Sequence, residues 1–109
     1  MNNSTETLTF NAADYTGSLI TATLDFSHTD HIGVRIDRDT AYRVDTCEIG
    51  YQLHDGDKPY RGLSRQVIAT AYQDETYPHI WHAFDEQSDC ERDADNPVVA
   101  LLQVALNIT

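Results

Sequence analysis

The residues of this chain that could do chemistry are five histidines, two cysteines and eighteen carboxylates. Two pairs have His-x-x-His spacing: His28-Thr29-Asp30-His31 and His79-Ile80-Trp81-His82. Zinc takes four ligands in a tetrahedron, commonly imidazole nitrogen or thiolate sulfur. Residues i and i+3 share a face on a helix, but the segment around Trp81 reads as a strand, which sends His79 and His82 to opposite faces. His28 and His31 lie in a polar turn and could chelate together. No Cys-x-x-Cys or other closed ligand set accompanies them. The expectation is therefore no metal, no cofactor and no tightly bound zinc after purification. A small metal-binding protein using His28 and His31 is kept as an alternative. Cys47 or Cys90 could be drawn with a histidine as a nucleophilic pair, but no local motif supports it, and such sites are recognised by geometry. Asp55-Gly56-Asp57 matches only a fragment of a calcium loop. There is no phosphate loop and no dinucleotide fingerprint. No catalytic residue is assigned, and the chain is not expected to be an enzyme.

Binding is the better prospect, and charge directs it. Eighteen acidic residues face seven basic ones, a formal net charge of −11, and Lys58 is the only lysine. Such a surface repels phosphate backbones and anionic membranes, so neither direct nucleic-acid nor membrane binding is expected. It favours a basic protein or ribonucleoprotein, because complementary fields speed encounter and fix orientation. The carboxylates concentrate in one stretch: Asp85, Glu86, Asp89, Glu91, Asp93 and Asp95, with Arg92 the single cation among them. A solvated loop would tolerate that repulsion, and so would a surface matched to lysines and arginines that normally hold phosphates. Asp37, Asp39, Asp45, Asp55 and Asp57 could extend the same surface. A second candidate surface is aromatic, since interfaces favour Tyr, Trp and Arg at their centres. Tyr60 and Tyr77, each beside a proline-containing turn, are the two expected to be exposed. Acidity with almost no lysine also describes proteins adapted to high salt, where it serves solubility alone.

These surfaces have to be carried by a small fold. With 109 residues, 40% of them hydrophobic, the chain suits one domain, residues 1–109, with one core. Thr7 to Phe10 alternates as a short strand. In Leu19 to Phe26, the residues Ile20, Ala22, Leu24 and Phe26 share a dry face and Thr21, Thr23 and Asp25 a wet one. Ile32, Val34 and Ile36 continue as the second arm of a hairpin. Tyr42, Val44 and Thr46 are followed in shifted phase by Ile49, Tyr51 and Leu53, which suggests a bulge or break around Cys47 and Glu48. His54 to Pro59 is a turn. Arg65 to Tyr72 has both strand and short-helix patterns, and its β-branched and aromatic residues favour strand. His79 to Phe84 is a strand built around Trp81, and Asp85 to Asp95 a connector.

The closing helix is the clearest element. Asn96 is a good N-cap and Pro97 fits the first helical position, where its missing N–H costs nothing. From Val98 onward only Gln103 and Asn107 interrupt an apolar run, so a helix from Asn96 to Ile108 must be buried on most of its surface. The fold class expected is α+β: an antiparallel sheet of about five or six strands with the C-terminal helix packed on one face. No apolar run approaches a bilayer's thickness. The polar N-terminus lacks the pattern of a signal peptide, so the cytoplasm is expected, with Cys47 and Cys90 as free thiols.

The last third of the chain adds a resemblance. A Trp-containing strand, Ile80-Trp81-His82-Ala83-Phe84, leads through an acidic loop to the capped helix Asp95-Asn96-Pro97-Val98-Val99-Ala100-Leu101-Leu102. Together with the overall acidity, this resembles the small acidic anti-defence proteins of phages and mobile elements, the anti-CRISPR class. That resemblance implies a stoichiometric inhibitor that binds a CRISPR effector complex inside an infected or host bacterial cell, in some cases by imitating nucleic acid. The alternative is a non-catalytic accessory or oligomerisation module. Either would be a monomer or a homodimer.

Overall fold

A computed structural model describes residues 5–11, 18–56, 67–85, 87 and 90–107. Eight strands run in chain order through one antiparallel sheet: β1 (Thr5–Asn11), β2 (Leu19–Asp25), β3 (Ile32–Arg35), β4 (Ala41–Thr46), β5 (Gly50–Asp55), β6 (Val67–Gln73), β7 (Trp81–Phe84) and β8 (Glu91–Ala94). Each strand pairs with the next, and the sheet curls into a half-barrel with β1 and β8 at its ends. The helix α1 (Pro97–Asn107) lies against β6, β7 and β8 and touches β5. The architecture is α+β, as expected, but with eight strands in place of five or six.

The extra strands have identifiable causes. The phase shift at Cys47 and Glu48 is a chain reversal, not a bulge. Cys47 N–H donates to Gly50 O at 2.9 Å and Gly50 N–H to Cys47 O at 3.3 Å, which leaves Glu48 and Ile49 as a two-residue hairpin loop. The irregularity of register falls one strand later, between Leu53 and His54. Gly50 is required where it sits: a Cβ there would collide with the carbonyl oxygen of Ala71 and stand 3.2 Å from Trp81 Cζ3. The second addition is β8, taken from the acidic connector expected as loop. It pairs with β7 over Trp81↔Ala94, His82↔Asp93, Ala83↔Arg92 and Phe84↔Glu91.

The register aligns one dry row across the strands. Leu24 faces Val34 and Val34 faces Tyr42. Ile32, Val44, Leu53 and Ala69 form the next row. Tyr51, Ala71 and Ala83 form a third. The alternation in β2 holds for Ile20, Ala22 and Leu24, but Phe26 lies beyond the strand and is 42% exposed. The strand reading of Arg65 to Tyr72 is realised from Val67 onward as β6, Arg65 itself lying outside the described residues.

Small residues decide where the helix sits. Ala69, Ala71 and Ala83 are fully or almost fully buried, as are Ala100 and Ala105 on the helix. Two alanine surfaces let backbones approach closely, and Leu101, Leu102 and Val104, each 0% exposed, fill the remaining space. Asn96 caps the helix as read from the sequence: its Oδ1 accepts the amides of Val98 at 2.8 Å and Val99 at 3.4 Å. Gln103, the polar residue within the greasy face, donates from Nε2 to the carbonyl of Asn11 at 2.9 Å. That bond ties the helix to the far end of the sheet and follows from its curl. No described helix is long and apolar enough to cross a membrane.

Candidate functional site

Pleating gives β8 two chemically different sides. Arg92 and Ala94 point inward, opposite Ala83 and Trp81, and both are half-buried. Glu91 and Asp93 point outward and are exposed, and Asp95, just past the strand, is exposed as well. Three of the six carboxylates singled out in the connector thus stand in the open. Asp85 is half-buried; its Oδ1 accepts the amide of Gln87 at 3.0 Å, and its own amide donates to Cys90 O at 3.1 Å. Glu86 and Asp89 lie outside the described residues, as does Tyr60.

The outer face also holds two residues that sequence reasoning did not select, Asp74 and His82. His82 sits on β7 directly opposite Asp93 on β8 and Tyr72 on β6. Its Nδ1 is 2.6 Å from Asp93 Oδ1 and its Nε2 is 2.7 Å from Asp74 Oδ2. Asp74 follows β6 directly and also accepts the amides of Thr76 at 2.8 Å and Tyr77 at 2.9 Å. This turn is the signal that could have identified it, since Asp readily bonds the backbone two residues ahead. His79 precedes the strand, so the second His-x-x-His pair does not act as a unit.

The electrostatics of this trio follow from its contacts. The bond from His82, followed by those from the Tyr77 and Thr76 amides, holds the Asp74 carboxyl down at about 2. Asp74, then Asp93, raise the His82 imidazole above its ordinary 6.5, because a ring donating to two carboxylates is best satisfied as imidazolium. The raised histidine contributes stability that is complete below about 6.5 and is lost as pH climbs through its higher folded value. The lowered aspartate contributes above its ordinary 3.8 and ceases to do so as pH falls through about 2. Both contributions are present together between those two ordinary values. Thermal denaturation of the parent is therefore expected to shift to lower temperature as pH rises above the ordinary histidine value of 6.5. In His82→Gln that part of the decline should vanish. An identical pH profile in the variant would show that the bridge contributes nothing.

His28 and His31 do meet, but not as chelators. Their rings stack with centroids 4.2 Å apart and planes 16° from parallel. Imidazole lone pairs lie in the ring plane, so nearly parallel stacked rings do not converge on one ion about 2 Å from each nitrogen. Nδ1 of His31 is instead 2.7 Å from Asp30 Oδ1, and Nε2 of His28 is 3.6 Å from Asp25 Oδ2. The two rings help line an open cleft of about 500 Å³ on the outer face of β2 to β4, with Arg35 and Arg43. Arg43 already holds Asp45 at 2.9 Å and Asp30 at 3.2 Å, which removes Asp45 from any continuous acidic surface. Asp37 is used locally, accepting the amides of Asp39 and Thr40.

Of the aromatics, Tyr77 is 56% exposed, as expected. Trp81 packs inward, its ring 5.4 Å from that of Tyr51, and Tyr72 on the outer face lies tilted against His82 and edge-on to Phe84. Cys47 and Cys90 are not joined in a disulfide. No family model matches this chain, and no curated protein or solved structure is detectably similar to it.

Proposed function

We propose that this protein is a stoichiometric inhibitor of a nucleic-acid-handling complex, a CRISPR effector being the foremost candidate. It acts by seating the acidic outer face of β7 and β8 in a basic groove. The supporting observation is the side-by-side display of Glu91 and Asp93 with Arg92 turned to the opposite side of the strand. Carboxylates two apart on a strand repeat at about 6.8 Å, and a strand is stiff enough to hold that spacing. A row of fixed negative charges can engage lysines and arginines that otherwise hold phosphates. Asp74 and Asp95 flank the row, and exposed Tyr77 adds an aromatic contact from the preceding turn. From residue 66 onward the chain has eight acidic residues against Arg92 and the His82 imidazolium, so the field over this end is negative.

The inhibitor works by occupancy, requires no cofactor and does not itself bind nucleic acid. Native electrophoresis of CRISPR effector ribonucleoproteins with added protein tests the reading. The expected result is a one-to-one shifted species at low salt that dissociates as salt rises. Absence of any shift across effectors of different types, or a complex indifferent to salt, would contradict it.

A further inference from the structure

We infer that His82, Asp93 and Glu91 form an exchangeable site for a divalent transition-metal ion, zinc in the first instance, with Asp74 orienting the imidazole. One ligand atom from each of the three residues lies within 4.8 Å of the other two. A single ion about 2.0–2.2 Å from each needs ligand atoms roughly 3.4 Å apart, a spacing that rotation of the exposed Glu91 and Asp93 side chains can supply. The sheet fixes the arrangement: His82 and Asp93 are directly opposed across β7 and β8, and Glu91 shares their face two residues along.

The imidazole sets this group apart from an ordinary acidic patch. Asp74 Oδ2 engages Nε2 at 2.7 Å, so Nδ1 is the nitrogen presented to the two β8 carboxylates. A carboxylate behind a ligating histidine is the usual outer-shell partner in metal sites, because it fixes the tautomer and raises the basicity of the ligating nitrogen. When an ion enters, it replaces the proton shared by Nδ1 and Asp93, and that proton leaves to solvent. One nitrogen and two oxygens favour zinc over magnesium or calcium, which prefer oxygen alone. Glu91 and Asp93 are exposed and the protein supplies three ligands, so solvent completes the shell and the ion exchanges. Such a site agrees with the sequence-based expectation that no zinc survives purification, while placing the ligands elsewhere than His28 and His31.

The inference is independent of the partner proposed above, because its test uses the isolated chain. Zinc chloride is titrated into the protein by calorimetry, and the ring resonances of the histidines are followed by NMR in parallel. The expected result is one zinc per chain with His82 perturbed first. His82→Gln and Asp93→Asn should each weaken binding at least tenfold, and His28→Gln should leave it unchanged. Asp74→Asn should weaken binding by about 10- to 100-fold while keeping the one-to-one stoichiometry, the effect typical of an outer-shell partner. Amide dispersion in the NMR spectra checks that each variant is folded. Should Asp93→Asn unfold, Glu91→Gln, which removes the other exposed carboxylate ligand, replaces it with the same expected loss. The inference is overturned if zinc at 100-fold excess over protein leaves the His82 resonances in place. It is equally overturned if folded His82→Gln binds zinc as the parent does, or if His28→Gln abolishes binding.

Discussion

Leu102→Asp is expected to leave most of the molecules unfolded at room temperature. Leu102 is 0% exposed, sits mid-helix and belongs to the core that α1 forms against β6 and β7. Removing a buried leucine side chain alone costs about 2–5 kcal/mol. A carboxylate put in its place finds no described cation among the core residues, and an uncompensated buried charge adds several kcal/mol more. A domain of this size has only about 5–15 kcal/mol of stability in total. Urea denaturation followed by tryptophan fluorescence reads the effect directly, because Trp81 packs against the same core. A midpoint within experimental scatter of the parent's would mean that α1 does not pack where described. Gln103→Ala is a milder companion. It should loosen the tie to Asn11 at a cost of about 1 kcal/mol, leaving the helix seated.

Elements with strong local signals were legible in the sequence. The Asn96-Pro97 start and the apolar run behind it dictate a buried helix, and the alternation from Ile20 to Leu24 dictates a half-buried strand. Glu91–Ala94 was not legible, because Glu-Arg-Asp-Ala has no β-branched or aromatic residue and its acidic side chains are depleted from strands. It becomes a strand because β7 offers a free edge and because Ala94 and Arg92 face Trp81 and Ala83. Tertiary pairing there overrides propensity. The hairpin at Glu48-Ile49 was hidden for a similar reason, since neither residue is a usual turn former and Gly50 lies just outside the loop. The candidate site depends on the same register. Asp74, His82 and Asp93 are far apart in sequence, and only the pairing of three successive strands brings them within hydrogen-bonding distance. The acidic stretch was visible, but which of its carboxylates face outward was not until β8 gave them an alternation.

Neutralising the outward row has the largest functional effect expected. Glu91→Gln, Asp93→Asn and Asp95→Asn together remove three exposed negative charges and keep the shapes of the side chains. Peripheral charges chiefly govern encounter, so association with the effector should slow by at least an order of magnitude at low salt. Dissociation should change less. The difference between parent and triple variant should shrink as salt rises, because screening shortens the reach of charge to about 8 Å at physiological ionic strength. Folding should survive, since β8 keeps its pairing with β7 and Ala94 packs against the core from the other face. Stopped-flow or surface-binding kinetics across a salt series gives both rates. Equal association rates for the two proteins would reduce the acidic row to a solvated surface and shift attention to Tyr77.

Competition with nucleic acid tests the central claim most directly. A fluorescent target DNA is bound to a CRISPR effector, and both the anisotropy and the effector's activity are followed as the protein is added. Occupancy of the groove predicts that the DNA is displaced in proportion to added protein, with an endpoint near one protein per effector. The triple amide variant should need at least tenfold more protein to reach the same endpoint. If instead the effector is inhibited while its DNA remains fully bound, the protein does not act as a phosphate mimic, and the acidic face of β7 and β8 is not the surface that blocks the groove.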